Sequence, residues 1–113
     1  MHELSIALGI LKIAENEASK ANASKIESIE LEIGTLAGIE FDSLDFVWPS
    51  ATKDTILEHS KKQINIIEAE AKCVDCDEVF AIKHHYDACP SCQSNFKSIL
   101  KGKELRVKSL EVS

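Results

Sequence analysis

Four cysteines lie within one short stretch of this sequence, as two pairs that each enclose two residues. Cys73 and Cys76 form the first CxxC pair, and Cys89 and Cys92 form the second, with residues 77–88 between them. Two residues between thiols allow a tight turn to direct both sulfurs at one ion, and two such turns complete a tetrahedron. The spacing therefore predicts a closed four-thiolate metal site of the structural type.

The spacing does not separate zinc from rubredoxin-like iron, because both ions accept paired CxxC knuckles and Pro90 is common to both kinds of site. A redox-active pair is disfavoured, since neither knuckle opens a helix after a strand. His84 and His85 lie between the knuckles. They are either solvated loop residues, alternate metal ligands, or groups that orient a ligand.

A second candidate for metal chemistry is the opening sequence Met1, His2, Glu3. The Met1 α-amine, the His2 amide and His2 Nδ1 offer three nitrogens in one plane, which is the donor set that a divalent d8 ion prefers. The fourth position is available to the Glu3 amide or to an outside ligand. The Glu3 carboxylate is expected to steer the ion or to orient His2.

The helix predicted to begin at residue 3 or 4 makes this chelate compatible with secondary structure. The first amides of a helix have no intrahelical acceptor, so a metal takes them without breaking a hydrogen bond. The positive end of the helix also favours the amide anions that result. The alternative interpretation is a frayed polar terminus ahead of an ordinary helix.

Composition restricts the partners and the compartment. The chain has 113 residues and a formal net charge of -6 at pH 7, which weighs against nucleic acid because phosphate binding needs a basic surface. No apolar run approaches the length of a membrane span, and charged residues interrupt any candidate signal peptide. The expected location is the cytosol, where clustered cysteines indicate metal ligation and not disulfides.

The spacing of apolar residues predicts the helices and strands that position these candidate ligands. Helical spacing of apolar residues covers residues 4–22, and alternation predicts a half-exposed strand over residues 26–33. A second helix is expected from about Asp42 as its N-cap, with Pro49 ending or kinking it. A further helical turn is expected over residues 54–59.

Two more strands are predicted, over residues 63–71 and 104–112. The alternation of each changes phase part-way, which a bulge or burial on both faces would explain. The last strand carries cations that are expected to pair across the sheet with carboxylates of the first strand: Arg106 and Lys108 with Glu30 and Glu32.

The element order predicts an α/β (α+β) two-layer domain with about three strands and two helices, and a small zinc-ribbon-like four-cysteine domain inserted before its last strand. The expected boundaries are residues 1–71 plus 100–113 for the α/β domain and residues 72–99 for the cysteine domain. The inserted domain is poor in apolar residues, so we expect it to need its metal in order to fold.

In combination, the motifs MHELSIA, IELEIG followed by LxG, CxxC–x12–CPxC and LRVKSLEV are a family pattern. The sequence resembles the HypA/HybF family of hydrogenase nickel-incorporation proteins over essentially its whole length. The resemblance implies a cytoplasmic nickel metallochaperone that helps to load the large subunit of [NiFe]-hydrogenase together with the nickel GTPase HypB. It also implies nickel at Met1, His2 and Glu3, and structural zinc at the four cysteines.

Two other classes of function have to be compared with this one. A zinc-ribbon adaptor that binds proteins would use the knuckles and ignore the N-terminus. An enzyme is disfavoured, because the sequence has no P-loop, no nucleophile elbow and no zinc triad with an open position. The sequence leaves open whether the chain is a homo-oligomer and whether its clients include urease.

Overall fold

The structure, a computed structural model, describes residues 2–113, so the predicted ligand Met1 lies outside the described residues. Its elements are α1 (Glu3–Lys20), β1 (Ile26–Gly34), α2 (Phe41–Thr52), β2 (Lys61–Ile67), β3 (Glu70–Cys73), β4 (Val79–Ala81), β5 (Lys97–Lys101) and β6 (Leu105–Val112). Two helices and two three-stranded sheets confirm the predicted fold class. Within residues 2–113, neither helix is long and apolar enough to cross a bilayer.

The chain divides into two compact units. The first comprises residues 1–32, 39–65 and 106–113, and the second comprises residues 33–38 and 66–105. These boundaries describe compactness and not independent folding. The division into folding domains at 1–71 plus 100–113 and 72–99 stays a prediction.

The sheet of the first unit has the strand order β2-β1-β6. Contacts between neighbouring strands give their directions: Ser60 with Ile26 and Asn65 with Glu30, but Arg106 with Glu32 and Ser113 with Glu27. Residue numbers therefore rise together along β1 and β2, which are parallel, and run oppositely along β6. Helix α2 connects the two parallel strands, as the βαβ arrangement requires.

Apolar residues of both helices and of β1 form the core of the first unit. Helix α1 buries a stripe of small and branched residues, and α2 packs against it. The buried residues of these elements include Ala7, Ile10, Leu11, Ala14, Ala18, Ile26, Ile29, Leu31, Leu44 and Trp48. The predicted first helix and first strand are confirmed to within two residues at either end.

The second helix differs from its prediction. It begins after Glu40, not Asp42, and it continues past Pro49 to Thr52. The Thr52 hydroxyl donates a hydrogen bond to the Trp48 carbonyl oxygen at 2.9 Å, which supports this last turn. The helical turn predicted for residues 54–59 is a run of tight turns with i to i+3 hydrogen bonds.

The alternation of apolar residues changes phase within residues 63–71 and within residues 104–112, and the two changes have different causes. The segment predicted as one strand over residues 63–71 is two strands, β2 and β3, which belong to different sheets, so the predicted bulge or two-sided burial is wrong there. Strand β6 is continuous, and its neighbouring residues Lys108 and Ser109 both reach Glu30. Two residues opposite one is the pattern that a bulge produces.

The second unit contains the sheet β4-β3-β5, in which β3 pairs antiparallel with both neighbours. It has a small core of its own, formed by Ala69, Ala71, Cys73, Phe80, Ile82 and Cys89, with Leu36 and Ile99 packed against it. Gly102 has φ of 114° and a Cβ there would lie 2.4 Å from Ala69 Cβ, so only glycine fits this crossing.

The outer side of the first sheet carries a hydrogen-bonded carboxylate. Glu30 accepts hydrogen bonds from Asn65 and Ser109, and Lys108 Nζ lies 3.8 Å from its carboxylate. The Asn65 amide, the Ser109 hydroxyl and the Lys108 charge hold the pKa of Glu30 below its usual value, against a smaller opposing effect of burial. The predicted pairing of Arg106 with Glu32 and of Lys108 with Glu30 is confirmed.

We expect Glu30→Gln to lower the free energy of unfolding at neutral pH and to have little effect in acid. Because folding lowers the pKa of Glu30, its stabilising contribution is present above the pKa of the unfolded chain and is lost as pH falls through the folded-state pKa. Urea unfolding of both proteins from pH 7 to about pH 3 measures this difference. The exposed Glu15→Gln is the control. A difference that does not change with pH would contradict the prediction.

Candidate metal centres

The four cysteines predicted to hold a metal converge at one place in the second unit. Their sulfur atoms all lie within 4.8 Å of one another, and the Sγ atoms of Cys73 and Cys92, and of Cys76 and Cys89, are 3.6 Å apart. Four thiolates at about 2.3 Å from a zinc ion form a tetrahedron with edges of about 3.8 Å. The side chains present therefore fit a tetrahedral ion, and none of the four forms a disulfide.

The two knuckles have the same pattern of backbone hydrogen bonds. The CxxC spacing therefore produces the same turn in both. In the first, the Asp77 amide donates to the Cys73 carbonyl at 3.0 Å, and in the second the Gln93 amide donates to the Cys89 carbonyl at 2.8 Å. Asp77 and Gln93 have φ of 62° and 66°, the left-handed conformation that closes each turn.

Backbone amides also point at the sulfurs. The Glu78 amide donates to the Cys76 sulfur and the Ser94 amide to the Cys92 sulfur, each from two residues further along the chain. Such amides stabilise thiolates, which are the form that ligates a metal. At both sulfurs these amides act against burial and the neighbouring thiols, which together raise the pKa of Cys76 and of Cys92.

The thiols of the cluster do not ionise alike. Burial opposes ionisation of Cys89, but the amides of Cys92 and Ser91 donate to its sulfur and, with the neighbouring thiols, they lower its pKa to about 7. At Cys76 the Glu78 amide also lowers the pKa of the thiol. Burial and the three neighbouring thiols have the larger combined effect, and they raise that pKa to about 12. A bound dication supplies the positive charge that permits all four to ionise.

Side chains brace the two knuckles against each other. The Ser94 hydroxyl donates to the Asp75 carboxylate, and the Ser91 hydroxyl donates to the Glu78 carboxylate at 3.2 Å. Each bond joins a residue of one knuckle region to a residue of the other. The cluster therefore rests on hydrogen bonds as well as on the small core beneath it.

The two histidines between the knuckles do not join the cysteine cluster. The metal-ligating group found among residues 2–113 consists of the four cysteines alone. The His84 ring stacks on Tyr86 with centroids 4.8 Å apart, and the amides of Lys83 and His84 donate to the Asp87 carboxylate. This arrangement favours the interpretation of His84 as a loop residue.

The N-terminal candidate belongs to the first unit, and His2 marks the start of its first helix. His2 is exposed and occupies the N-cap position of α1, with its carbonyl accepting the Ile6 amide at 3.0 Å. The His2 side chain makes no capping hydrogen bond. The amides of the first turn precede this first i to i−4 bond, as the chelate hypothesis requires.

Glu3 connects the beginning of α1 to the beginning of α2. Its side chain is only 8% exposed, and Oε2 accepts a hydrogen bond at 3.2 Å from the amide of Glu40, the N-cap residue of α2. The carboxylate thus lies at two helix N-termini, where negative charge is stabilised by about 0.3–1 kcal/mol each at exposed sites and by up to about 2 kcal/mol when partly buried. Sequence reasoning missed Glu40, because no local pattern connects residues 37 positions apart.

Comparison with known proteins identifies similar chains of nearly the same length. A family model described as "Hydrogenase/urease nickel incorporation, metallochaperone, hypA" matches residues 1–112. The hydrogenase maturation factor HypA of Parabacteroides distasonis is 45% identical over 112 residues, which are 99% of this chain and 97% of that protein. The protein of the same name from Azotobacter vinelandii is 40% identical over 112 residues, 99% of each chain.

Solved structures agree with this similarity. The solution structure of the Ni metallochaperone HypA from Helicobacter pylori matches with a TM-score of 0.70 at 27% identity, covering 99% of this chain and 97% of that one. A second solution structure, of a HypA protein, matches with a TM-score of 0.69 at 28% identity, covering 100% and 97%. The likeness therefore extends over both compact units.

The strained residue of the second knuckle gives a test of the turn geometry. We expect Gln93→Gly to raise the free energy of unfolding of the metal-loaded protein by up to about 1 kcal/mol, because glycine adopts positive φ without steric cost. Gln93→Ala, which removes the side chain and keeps the strain, is the matched control and should give no increase. Thermal unfolding of both variants measures the effect, and equal stability would show that the knuckle is unstrained.

Proposed function

The chain belongs to the HypA family of hydrogenase/urease nickel-incorporation metallochaperones, and we propose that it binds Ni(II) at its N-terminus and delivers it during the maturation of [NiFe]-hydrogenase. Because the family is one of metallochaperones, the chain is not an enzyme, as its sequence predicted. The proposed nickel donors are the Met1 amine, the His2 amide and imidazole, and the amide of Glu3. The proposed zinc ligands are Cys73, Cys76, Cys89 and Cys92.

The hydrogen bond between Glu3 and Glu40 is the main structural support for the proposed nickel site. A carboxylate that is 8% exposed and bonded to the first turn of a second helix holds the start of α1 in place. His2, directly before it, is exposed. Because this backbone is already fixed, less conformational entropy is lost when nickel binds to the exposed imidazole next to it.

The chemistry of this donor set suits a cargo ion. Nickel accepts a plane of nitrogen donors, and a site at a chain end keeps one edge of that plane accessible to a partner's ligands. Transfer would proceed by ligand exchange, with the partner's donors replacing those of the N-terminus one at a time. Since the amine, imidazole and amides must all lose protons to bind, nickel affinity should fall as pH falls.

The cysteine cluster, in contrast to the proposed nickel site, is closed and held in place by hydrogen bonds, which supports an ion that stays bound. Four thiolates leave no open position, and both knuckles are braced by hydrogen bonds. We propose zinc, which has no redox chemistry and stabilises small modules by holding their turns together. When bound, it would supply structural energy and take no part in nickel transfer.

The proposed partners are those of a hydrogenase maturation pathway in the cytoplasm: the nickel GTPase HypB as a source or regulator of nickel, and the hydrogenase large subunit as its recipient. Support comes from the family description and from the relatives named as hydrogenase maturation factors. Both partners would need to approach the exposed His2.

We expect His2→Ala, or a tag that caps the Met1 amine, to reduce nickel affinity by at least about 100-fold, because either change removes a donor of the chelate. Zinc content and fold should be unchanged. Equilibrium dialysis with Ni(II) on untagged, tagged and His2→Ala protein measures affinity, with zinc measured in each.

His59→Ala, which removes an exposed histidine elsewhere in the first unit, is the matched control and should bind nickel normally. Unchanged nickel affinity in the tagged protein would overturn the terminal chelate. Absence of any specific nickel site in the untagged protein would favour an interaction adaptor instead.

A second prediction concerns the zinc ligands. Cys73→Ala should release zinc and unfold the segment over residues 72–99, because a buried ligand and its bond to the ion are lost together. The helices of the first unit should survive. Metal analysis with amide hydrogen exchange tests both statements, and retention of a full equivalent of zinc in a folded segment would contradict them. Ser98→Ala, an exposed strand residue, is the control.

A further inference from the structure

Strand β6 forms a free edge of the first sheet. The strand order β2-β1-β6 gives it one neighbouring strand, β1, among the described residues 2–113. It is eight residues long and contains no proline. Its free edge therefore presents a row of backbone amides and carbonyls with which a further strand can pair. Soluble proteins normally shorten or cover an edge of this kind.

On the outer side of the sheet, β6 carries opposite charges toward its two ends. Arg106 forms an ion pair with Glu32 of β1. Glu111 lines the same outer concavity as Ser109 and Glu30, and Glu30 shares a face of β1 with Glu32. The Glu111 carboxylate has no ion pair or side-chain hydrogen bond within the described part of the chain. One end of the strand thus offers a cation, and the other offers an unpaired anion.

On the side that faces α1, β6 is apolar. Val107, Leu110 and Val112 line a groove of about 380 Å³ together with Ile13 and other residues of α1. Val107 and Leu110 are half-buried, whereas Ile13 and Val112 are 48% and 39% exposed. Side chains of a strand added to β6 would extend this apolar layer.

The bulge in β6 decides how two copies of the strand fit together. Lys108 and Ser109 both reach Glu30, so the side chains before and after this point alternate with opposite parity. Val107 and Leu110 therefore lie on one side of the sheet, although one number is odd and the other even. Opposite residues of an antiparallel pair share a face. Two copies of β6 satisfy this rule when a two-fold axis passes between Lys108 and Ser109.

We propose that β6 pairs antiparallel with β6 of a second copy of this chain, about a two-fold axis between Lys108 and Ser109. Arg106 then lies opposite Glu111 of the second copy, and Val107 lies opposite Leu110. The two-fold axis repeats each pair, as an isologous interface requires. A shift of one or two residues in either direction sets a side chain of the outer side opposite one that faces α1. A strand of a different protein would not require the two halves of β6 to match each other in this way.

The charged groups on the outer side are compatible with this pairing. Arg106 donates from Nε to Glu32, which leaves the terminal nitrogens of its guanidinium for Glu111 of the second copy. The two copies of Lys108 approach each other near the axis, and each has the Glu30 carboxylate 3.8 Å away as its counter-ion. The pairing therefore adds two attractive contacts and leaves no lysine without a carboxylate.

The proposed interface lies away from the proposed nickel site. Ile13 and Glu17 belong to the C-terminal half of α1, whereas His2 precedes its first turn. Along a helix, the eleven residues from His2 to Ile13 span about 16 Å. Glu17, the acidic residue in the groove, has Lys20 as its counter-ion at 3.6 Å. Pairing through β6 and nickel binding are therefore separate properties of the first unit.

Sedimentation equilibrium of untagged, zinc-loaded and nickel-free protein tests the proposal over a wide range of concentrations. We expect an equilibrium between monomer and dimer. Glu111→Arg sets two arginines against each other at both ends of the interface and should weaken dimerisation by about tenfold or more. Glu15→Arg makes the same change of charge at an exposed position of α1 and should have no effect.

Mixing two variants tests the register. Arg106→Glu alone should also weaken the dimer, because it sets carboxylates against each other. An equimolar mixture of Arg106→Glu and Glu111→Arg should form a heterodimer, since every charged pair again joins opposite signs. Circular dichroism establishes that each variant is folded. In the unmodified dimer, amides on the free edge of β6 should exchange with solvent more slowly than in the monomer, and those of β2 should not change.

Several outcomes would overturn the proposal. A monomer at every concentration is one. A dimer that Glu111→Arg leaves unchanged, or whose β6 amides gain no protection, would place the contact on another surface. Absence of a heterodimer in the mixture of folded variants would contradict the register. Nickel affinity of Glu111→Arg should equal that of the unmodified protein, so failure of this interface and failure of the nickel site are distinguishable.

Discussion

The proposed nickel site depends on the hydrogen bond that the Glu3 carboxylate accepts from the Glu40 amide. This carboxylate lies in the first turn of α1, is almost fully buried, and accepts a hydrogen bond from the N-cap amide of α2. One negative charge therefore lies at two helix N-termini, and it attaches the first turn of α1 to the start of α2. Without that attachment, a residue such as His2 would be part of a fraying end, and binding an ion would have to order it first.

The two candidate metal centres differ in the way that the proposed roles, a cargo ion and a resident ion, require. The cysteine cluster is closed, its sulfurs are within 4.8 Å of one another, and hydrogen bonds from backbone and side chains hold both knuckles. The proposed nickel donors are nitrogens at and beside the exposed His2. Soft thiolates retain zinc, whereas a plane of nitrogens with an accessible edge permits exchange. With the proposed ions, this difference in ligand type would reduce competition between a cargo ion and a resident ion for one site.

Local pattern predicted most of the fold, and contacts over long sequence separations account for the rest. The CxxC spacing predicted the convergence of Cys73, Cys76, Cys89 and Cys92, because the geometry of a knuckle is encoded within a few residues. The change of phase near Ile67 does not come from the predicted bulge or burial on both faces, since periodicity does not reveal that a chain has moved to a second sheet. The Glu40 partner of Glu3 was missed because their contact depends on the packing of two helices.

Calorimetry of nickel binding by untagged, zinc-loaded Glu3→Gln and Glu3→Ala, beside the unmodified protein, would show whether the contact between Glu3 and Glu40 holds the nickel site in place. Glutamine retains an oxygen that accepts the Glu40 amide, whereas alanine leaves that amide without this acceptor. If Glu3 acts by holding the helix start, glutamine should bind nickel nearly normally and alanine about tenfold or more weakly. Equal loss in both variants would make the carboxylate itself a ligand, and normal binding by alanine would contradict the claim that the terminus must be fixed.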